Sequence, residues 1–429
     1  MHRRLLAPAL LSLSLLWSAA GCDGGGSEDA AITYYRDVKP ILDARCIRCH
    51  VDGGIAPMPL GTYDEAYPFR ARIREKVADR IMPPWEAGPG CNEYQADFSL
   101  TDAQIDTVTG WVDLGAPAGD PTTEPPALVV ETPDLSRVDV TLAPPDPYTP
   151  QQSPDEYRCF VLPWEETATS FVTGMRATPG MRTEVHHVVV YMAAAADAAG
   201  YQALDDAEPG LGYTCFGGPG GGNASLLGVW APGGTGRDYP EGTGLRVEPG
   251  AVVIMQVHYN TLDQEPVPDV TSLEFSIESS VPNEAYMSFW GNPLWTLGGM
   301  PIPAGDPDVM HSYSAAPSDL FGIPIPLRLW MVGLHMHTRG TRALLSVVHS
   351  ASDECAIEIP NWDFHWQSLY VLDAPMTIFP GEEVYLECHW DNSAGNQPLV
   401  DGVPLPPEDL NWGEGTTDEM CLGIAYVSL

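Results

Sequence analysis

The chain has 429 residues, with 20 Lys+Arg against 58 Asp+Glu and a formal charge of -38 at pH 7, which argues against nucleic acid as a partner because phosphate binding needs a basic surface. Hydrophobic residues make up 44% and aromatic residues 9%, too much apolar material for a disordered acidic protein. The length allows two or three domains, and 42 Gly with 42 Pro favour short strands and turns over long helices.

Residues 1–30 read as an address. Arg3 and Arg4 form a positive n-region, Leu5 to Leu16 an apolar run, and Ala19-Ala20-Gly21 puts small residues before Cys22. This order resembles a bacterial lipobox, with residues 1–21 as signal peptide, Cys22 as the lipidated N-terminus and residues 22–30, with Gly24-Gly25-Gly26, as a flexible tether. The apolar run is short of the roughly 20 residues that a membrane span needs. The protein is therefore expected to be an exported cell-envelope lipoprotein, held to a membrane by its lipid.

In an oxidising compartment the nine cysteines read differently from cytosolic ones. Cys46-Ile47-Arg48-Cys49-His50 has the c-type haem attachment pattern, in which two thiols form thioethers and the histidine ligates iron. Residues 33–45 and 69–80 carry helix-spaced apolar positions, and Thr101-Asp102 caps a third helix with Ile105, Val108, Trp111 and Val112 on one face. Three short helices around one covalent haem suit a small all-α cytochrome c-like domain over 31–118. Met82, in Ile81-Met82-Pro83-Pro84, is the candidate sixth ligand; Met58 is too near His50 to reach the opposite haem face. Residues 31–85 hold 9 Lys+Arg against 7 Asp+Glu, whereas 86–429 hold 9 against 48, so a near-neutral module precedes a very acidic body.

A Pro/Asp/Thr-rich stretch from Ala116 to Pro154 reads as a linker and first strand. Beyond it come short β-rich runs, HHVVVYM, AVVIMQVHYN, LRLWMVGLHMH and EVYLECHW, between Gly/Pro turns, which predicts an all-β body of two β-sandwich (jelly-roll-like) domains over 119–282 and 283–429. Histidines cluster in these strands. His335 and His337, at i and i+2, share one strand face about 7 Å apart, as two ligands of one metal would. Adjacent His186 and His187 point to opposite faces unless a bulge intervenes, so geometry alone leaves that pair open, and His258 lies in a third strand.

In order along the chain, Tyr157-Arg158-Cys159, Val185-His186-His187, Trp230-Ala231, Gln256-Val257-His258-Tyr259, His335-x-His337 before Gly340, and Thr417-Asp418-Glu419-Met420-Cys421 resemble the copper type II, ascorbate-dependent monooxygenases over roughly 126–429. The resemblance implies two coppers per chain, one on His186, His187 and His258 and one on His335, His337 and Met420, with O2 activated at the second. Without it, Met420 reads as a core methionine. Imidazole suits both copper oxidation states, and a soft thioether favours Cu(I). The resemblance also puts Gln256 near the first copper and pairs Cys159 with Cys215 and Cys388 with Cys421. Cys91 and Cys355 receive no partner from it, and a bond joining the helical and β regions is one option.

The sequence departs from the peptide-processing members of that family where a basic residue would grip a carboxylate: here stands Gly333. Two further substrate positions fall at Leu422 and Ile424, which points to a small, less polar substrate. The expected activity is C–H hydroxylation with O2, the haem feeding electrons from an ascorbate-like reductant or another cytochrome, and charge complementarity drawing the module to the body. The alternatives are a haem and copper electron-transfer lipoprotein without hydroxylase activity, and an adhesion sandwich in which the histidines are coincidental.

Overall fold

The computed structural model describes residues 31–429 except 53–55, 127–132, 154, 216–217, 232–233, 262–264, 351, 401–402, 414 and 416. The expected signal peptide, Cys22 and the 22–30 tether lie outside the described residues. A small helical region comes first, with helical segments Tyr34–Val38 running into Lys39–Arg45, then Tyr63–Ala78 and Asp102–Asp113. The second helix starts six residues before the expected 69. Thr62 and Glu65 form a reciprocal capping box there, which satisfies two free N–H groups of the first turn, and the helix runs on through Pro68, a residue that reads in sequence as a breaker. The third helix begins on a second such box, Thr101 with Gln104. Tyr34, Leu42, Ile73, Val77, Val108 and Trp111 form the core between the helices.

The body is mostly β. A sheet of fourteen strands and a second of four make its main layers, with a two-stranded ribbon beside them. Asp155–Pro163, Val252–Asn260 and Val185–Ala193 are consecutive neighbours in the large sheet. The Val252–Asn260 strand is buried over seven of its nine residues, which is why its sequence is a continuous apolar run and not an alternation. The Asn283–Trp290 strand pairs in parallel with Thr243–Val247 and antiparallel with Leu422–Ser428, which in turn pairs with Leu327–His335. Hydrogen bonding is thus continuous across residue 283, where two separate sandwiches were expected. Two cores lie against these sheets, and Met331, Val371, Ile424 and Tyr426 from the C-terminal half pack into the first. The helix Ala198–Ala207 is an insertion in the body that the strand pattern did not suggest.

The helical region is tied to the body covalently and by packing. Cys91 is disulfide-bonded to Cys355, Trp85 stacks edge-on to Tyr370 with ring centres 4.9 Å apart, and Tyr94 and Ala87 are part of the second core. Backbone bonds run from Gly88 to the Glu358 carbonyl (2.8 Å) and from Gln95 to that of Val371 (2.9 Å). Lys39 of the first helix pairs with Glu124, just past the helical region, at 3.2 Å, and pairs such as Arg74–Asp113, Arg80–Asp102 and Arg137–Glu278 stay within one region. Close contact is made by apolar packing, backbone hydrogen bonds and a disulfide, whereas the expected charge complementarity concerns attraction at longer range.

Candidate metal centres

The three-histidine cluster depends on a local irregularity. Pairing between Val185–Ala193 and Val252–Asn260 shifts between Val185 and His187, so that His187 faces His258 while His186 is the extra residue. The bulge turns two adjacent side chains toward one point. The Nδ1 atoms of His186 and His187 are 3.3 Å apart, those of His187 and His258 3.4 Å, and one ring nitrogen from each of the three lies within 4.8 Å of the others. Burial and the neighbouring His258 hold His186 at about 3 and His187 well below the usual imidazole range. Both therefore stay neutral, with lone pairs free for a cation.

Asp155 completes this cluster and is absent from the sequence-based expectations. Its Oδ1 lies 2.8 Å from His258 Nε2 and also accepts from Asn260 Nδ2 at 3.0 Å. A carboxylate on the outer nitrogen fixes the ring and leaves Nδ1 facing the cluster. Tyr157 stacks on His258 with ring centres 4.1 Å apart. The only signal for Asp155 in the sequence was an acidic residue opening the strand that continues into Tyr157-Arg158-Cys159.

His335 and His337 lie at the end of Leu327–His335 and just beyond it, with ring centres 5.1 Å apart. His335 pairs with Leu422 at the end of the ladder, and Met420, buried, lies two residues before Leu422. Glu419 braces this junction: its carboxylate accepts from the His337 and Arg339 backbones (3.1 and 2.7 Å) and from the Trp390 indole (2.8 Å). The next residue, Cys421, is disulfide-bonded to Cys388. The His337 Nδ1 faces the Asp418 carbonyl at 3.2 Å, and burial holds His337 at about 3. Phe364 connects the clusters, stacked on His186 at 5.3 Å and 6.1 Å from His337. Neither Phe364 nor its neighbour His365 stood out as a lone aromatic or histidine in a loop.

Gln256 is spent elsewhere: its Nε2 donates to the Cys215 carbonyl at 2.7 Å, beside the Cys159–Cys215 disulfide. Of the two substrate positions, Ile424 packs in the first core and Leu422 touches the site where Gly291 lacks a side chain. Ile424 is thus buried in the core, by the central position of Leu422–Ser428 between two strands, whereas Leu422 is half-buried. A Cβ at Gly333 would come within 2.9 Å of Leu369 Cδ2 and 3.0 Å of the Ser368 carbonyl; the Leu369 side chain and the Ser368 backbone take the space a side chain would need.

In the helical region Cys46 and Cys49 are free thiols, whereas the other six described cysteines are paired. Both line a cavity of about 270 Å³ with His50 and Met82. His50 Nδ1 faces the Met58 carbonyl at 3.0 Å, which leaves Nε2 available. The far wall belongs to the β body, including Trp230, Tyr239 and Arg237, and Arg45 Nε and Arg237 Nη1 are buried without a partner among the described residues. A larger cleft, about 1320 Å³, runs between residues 77–105 and the body and reaches His186, Asp155 and Phe364.

Residues 141–266, which contain all three clustered histidines, match the N-terminal domain of the copper type II ascorbate-dependent monooxygenases. The chain is also similar to DBH-like monooxygenase protein 1 of Gallus gallus, 24% identical over 254 residues, 56% of this chain and 38% of that one. It thus spans well under half the length of that relative. Among solved structures, the capsid protein P2 of bacteriophage PM2 overlaps 64% of this chain and 97% of its own at 6% identity and TM-score 0.27. The infectious bursal disease virus VP2 particle overlaps 72% and 75% at 11% identity and TM-score 0.19, and neither overlap is close enough to bear on function. The chain therefore contains a copper monooxygenase-type domain with a three-histidine cluster, and three disulfides that suit an extracytoplasmic compartment. Among the described residues no helix is long and apolar enough to cross a membrane.

Proposed function

We propose that the protein is a copper- and O2-dependent monooxygenase that hydroxylates a C–H bond of a small substrate, with a covalent haem c in the helical region as electron donor. The observation that carries this reading is the convergence of His186, His187 and His258 on one point, with Asp155 behind His258, inside the matched domain. These three residues would hold one copper and His335, His337 and Met420 the other. Copper bound there would supply one-electron chemistry with O2. One oxygen atom enters the C–H bond and the other leaves as water, with two electrons and two protons consumed.

The chain's own residues set the conditions for that reaction. Asp155 and the Asp418 carbonyl orient His258 and His337. Glu419, next to Met420 in the chain, braces the backbone of His337 and Arg339. The 1320 Å³ cleft offers substrate a path to His186 of the three-histidine cluster, and its walls include Asp155, Asp363, His365 and Asn396, so the substrate has polar groups to meet as well as Phe364 and Trp362.

Haem fits the smaller cavity in donor set and charge. Cys46 and Cys49 would attach it, and His50 and Met82 would hold its iron. Its two carboxylates match the unpartnered nitrogens of Arg45 and Arg237. A periplasmic or outer-membrane lipoprotein, anchored at Cys22, completes the reading. The test is turnover under labelled O2 with a panel of small aromatic and aliphatic substrates. Label should appear in a hydroxylated product, and Met420→Ile should abolish that product while copper stays at the three-histidine centre. Product formation unchanged by Met420→Ile would refute the ligand set.

A further inference from the structure

One segment, 361–369, touches the haem-type cavity and both histidine clusters. Trp366 and Gln367 line the cavity that holds Cys46, Cys49, His50 and Met82. The Gln367 side chain is fixed at both ends: its Oε1 meets His335 Nδ1, and its Nε2 donates to the Phe364 carbonyl at 2.9 Å. Gln367 thus both lines the cavity and bonds the His335 ring. Ser368 and Leu369 press against Gly333, on the strand that carries His335, so the position where a larger residue was expected is open to admit this segment. On its other side Phe364 stacks on His186.

We propose that Gln367 is the positioning residue through which electrons pass from the haem cavity to the His335/His337/Met420 centre. This rests on the haem and copper reading given above. A hydrogen bond joins Gln367 to His335, leaving His335 Nε2 for the metal, and the same residue lines the cavity. With both groups bound, each transfer would move one electron from ferrous haem to Cu(II), leaving ferric haem and Cu(I), with no bond formed and no proton leaving the segment. The route reaches the second centre directly, without first crossing the three-histidine cluster.

The experiment uses full-length protein carrying ferric haem and Cu(II), pulsed anaerobically with electrons by flash photolysis of a flavin. Haem reoxidation is followed in its visible band, and loss of Cu(II) by EPR of freeze-quenched samples, with copper content matched between variants. Gln367→Leu, which removes the acceptor, should slow haem reoxidation by about tenfold or more, the lower end of what partners of metal-bound histidines carry. Gln367→Glu, which keeps an acceptor, should restore a rate near that of the parent and separate the bond from bulk. A Gln367→Leu protein that transfers electrons at the parent rate would overturn the route while leaving the haem as donor. A parent protein whose haem reoxidises at the same rate with and without copper would overturn the donor reading itself.

Discussion

Replacing Asp155 tests whether the three-histidine cluster is a built metal site. The carboxylate lies 2.8 Å from His258 Nε2, and hydrogen bonds to charged groups contribute about 1.5–3 kcal/mol. Its side chain is 27% exposed, so water offsets part of that, and the lower half of the range, about 1.5–2 kcal/mol, applies. Asp155→Ala should therefore weaken copper binding at this centre by about 10–30-fold. Asp155→Asn retains a neutral acceptor and should cost about 0.5–1 kcal/mol, or 2–5-fold. Both affinities can be read by competition with a chromophoric chelator, with EPR to resolve the two centres. Affinity in Asp155→Ala within about twofold of the parent would refute the view that this carboxylate holds His258 for a metal.

Glu86 gives a pH prediction. Burial, opposed by the Asp363 N–H and reinforced by the Asp363 charge, pushes its carboxyl up to about 9, and its Oε2 is buried without a partner among the described residues. A carboxyl with a raised folded pKa binds its proton more tightly when folded, so its destabilising effect is absent below its ordinary value of 4.5 and grows as pH rises toward 9. Glu86→Gln should leave Tm unchanged at pH 4 and raise it at pH 8; equal pH profiles for the two proteins would contradict this. Removing the Cys91–Cys355 bridge with Cys91→Ser and Cys355→Ser should cost about 2–5 kcal/mol, read as a lower denaturant midpoint and faster hydrogen exchange over 86–95. An unchanged midpoint would show that packing alone docks the helical region. Gly333→Ala should push Leu369 and Ser368 away, with about 1–3 kcal/mol lost to overpacking and an altered copper EPR signal at the His335 centre; an unaltered signal and Tm would mean that the segment yields without moving Gln367.

The sequence carried the helical start, the β body and the histidine clusters because each is a local pattern: capping residues, alternating or continuous apolar runs, and ligand spacing within a strand. His335 and His337 could be set on one face from the period of a strand alone. His186 and His187 could not, because the bulge that unites them depends on how Val252–Asn260 pairs across. The continuity of the large sheet through Asn283–Trp290 was illegible for the same reason, since strand order is a long-range property. Asp155, Gln367 and Phe364 act through residues far away in the chain, His258, His335 and His186, and no spacing rule reaches that far. Gly333 was visible as a departure, but its cause, the Leu369 side chain and the Ser368 backbone pressed against it, is a packing fact. The Cys91–Cys355 bond was one option among several until the fold brought the two thiols together.

The central claim is that this fold holds copper on two separate ligand sets. The most direct measurement is the copper bound per chain after anaerobic loading and removal of loose ions, in the parent protein and in His187→Ala. The account predicts two coppers in the parent and one in His187→Ala, with the remaining one lost on adding Met420→Ile and His337→Ala. No bound copper in the parent, or the same copper content with and without His187, would contradict it.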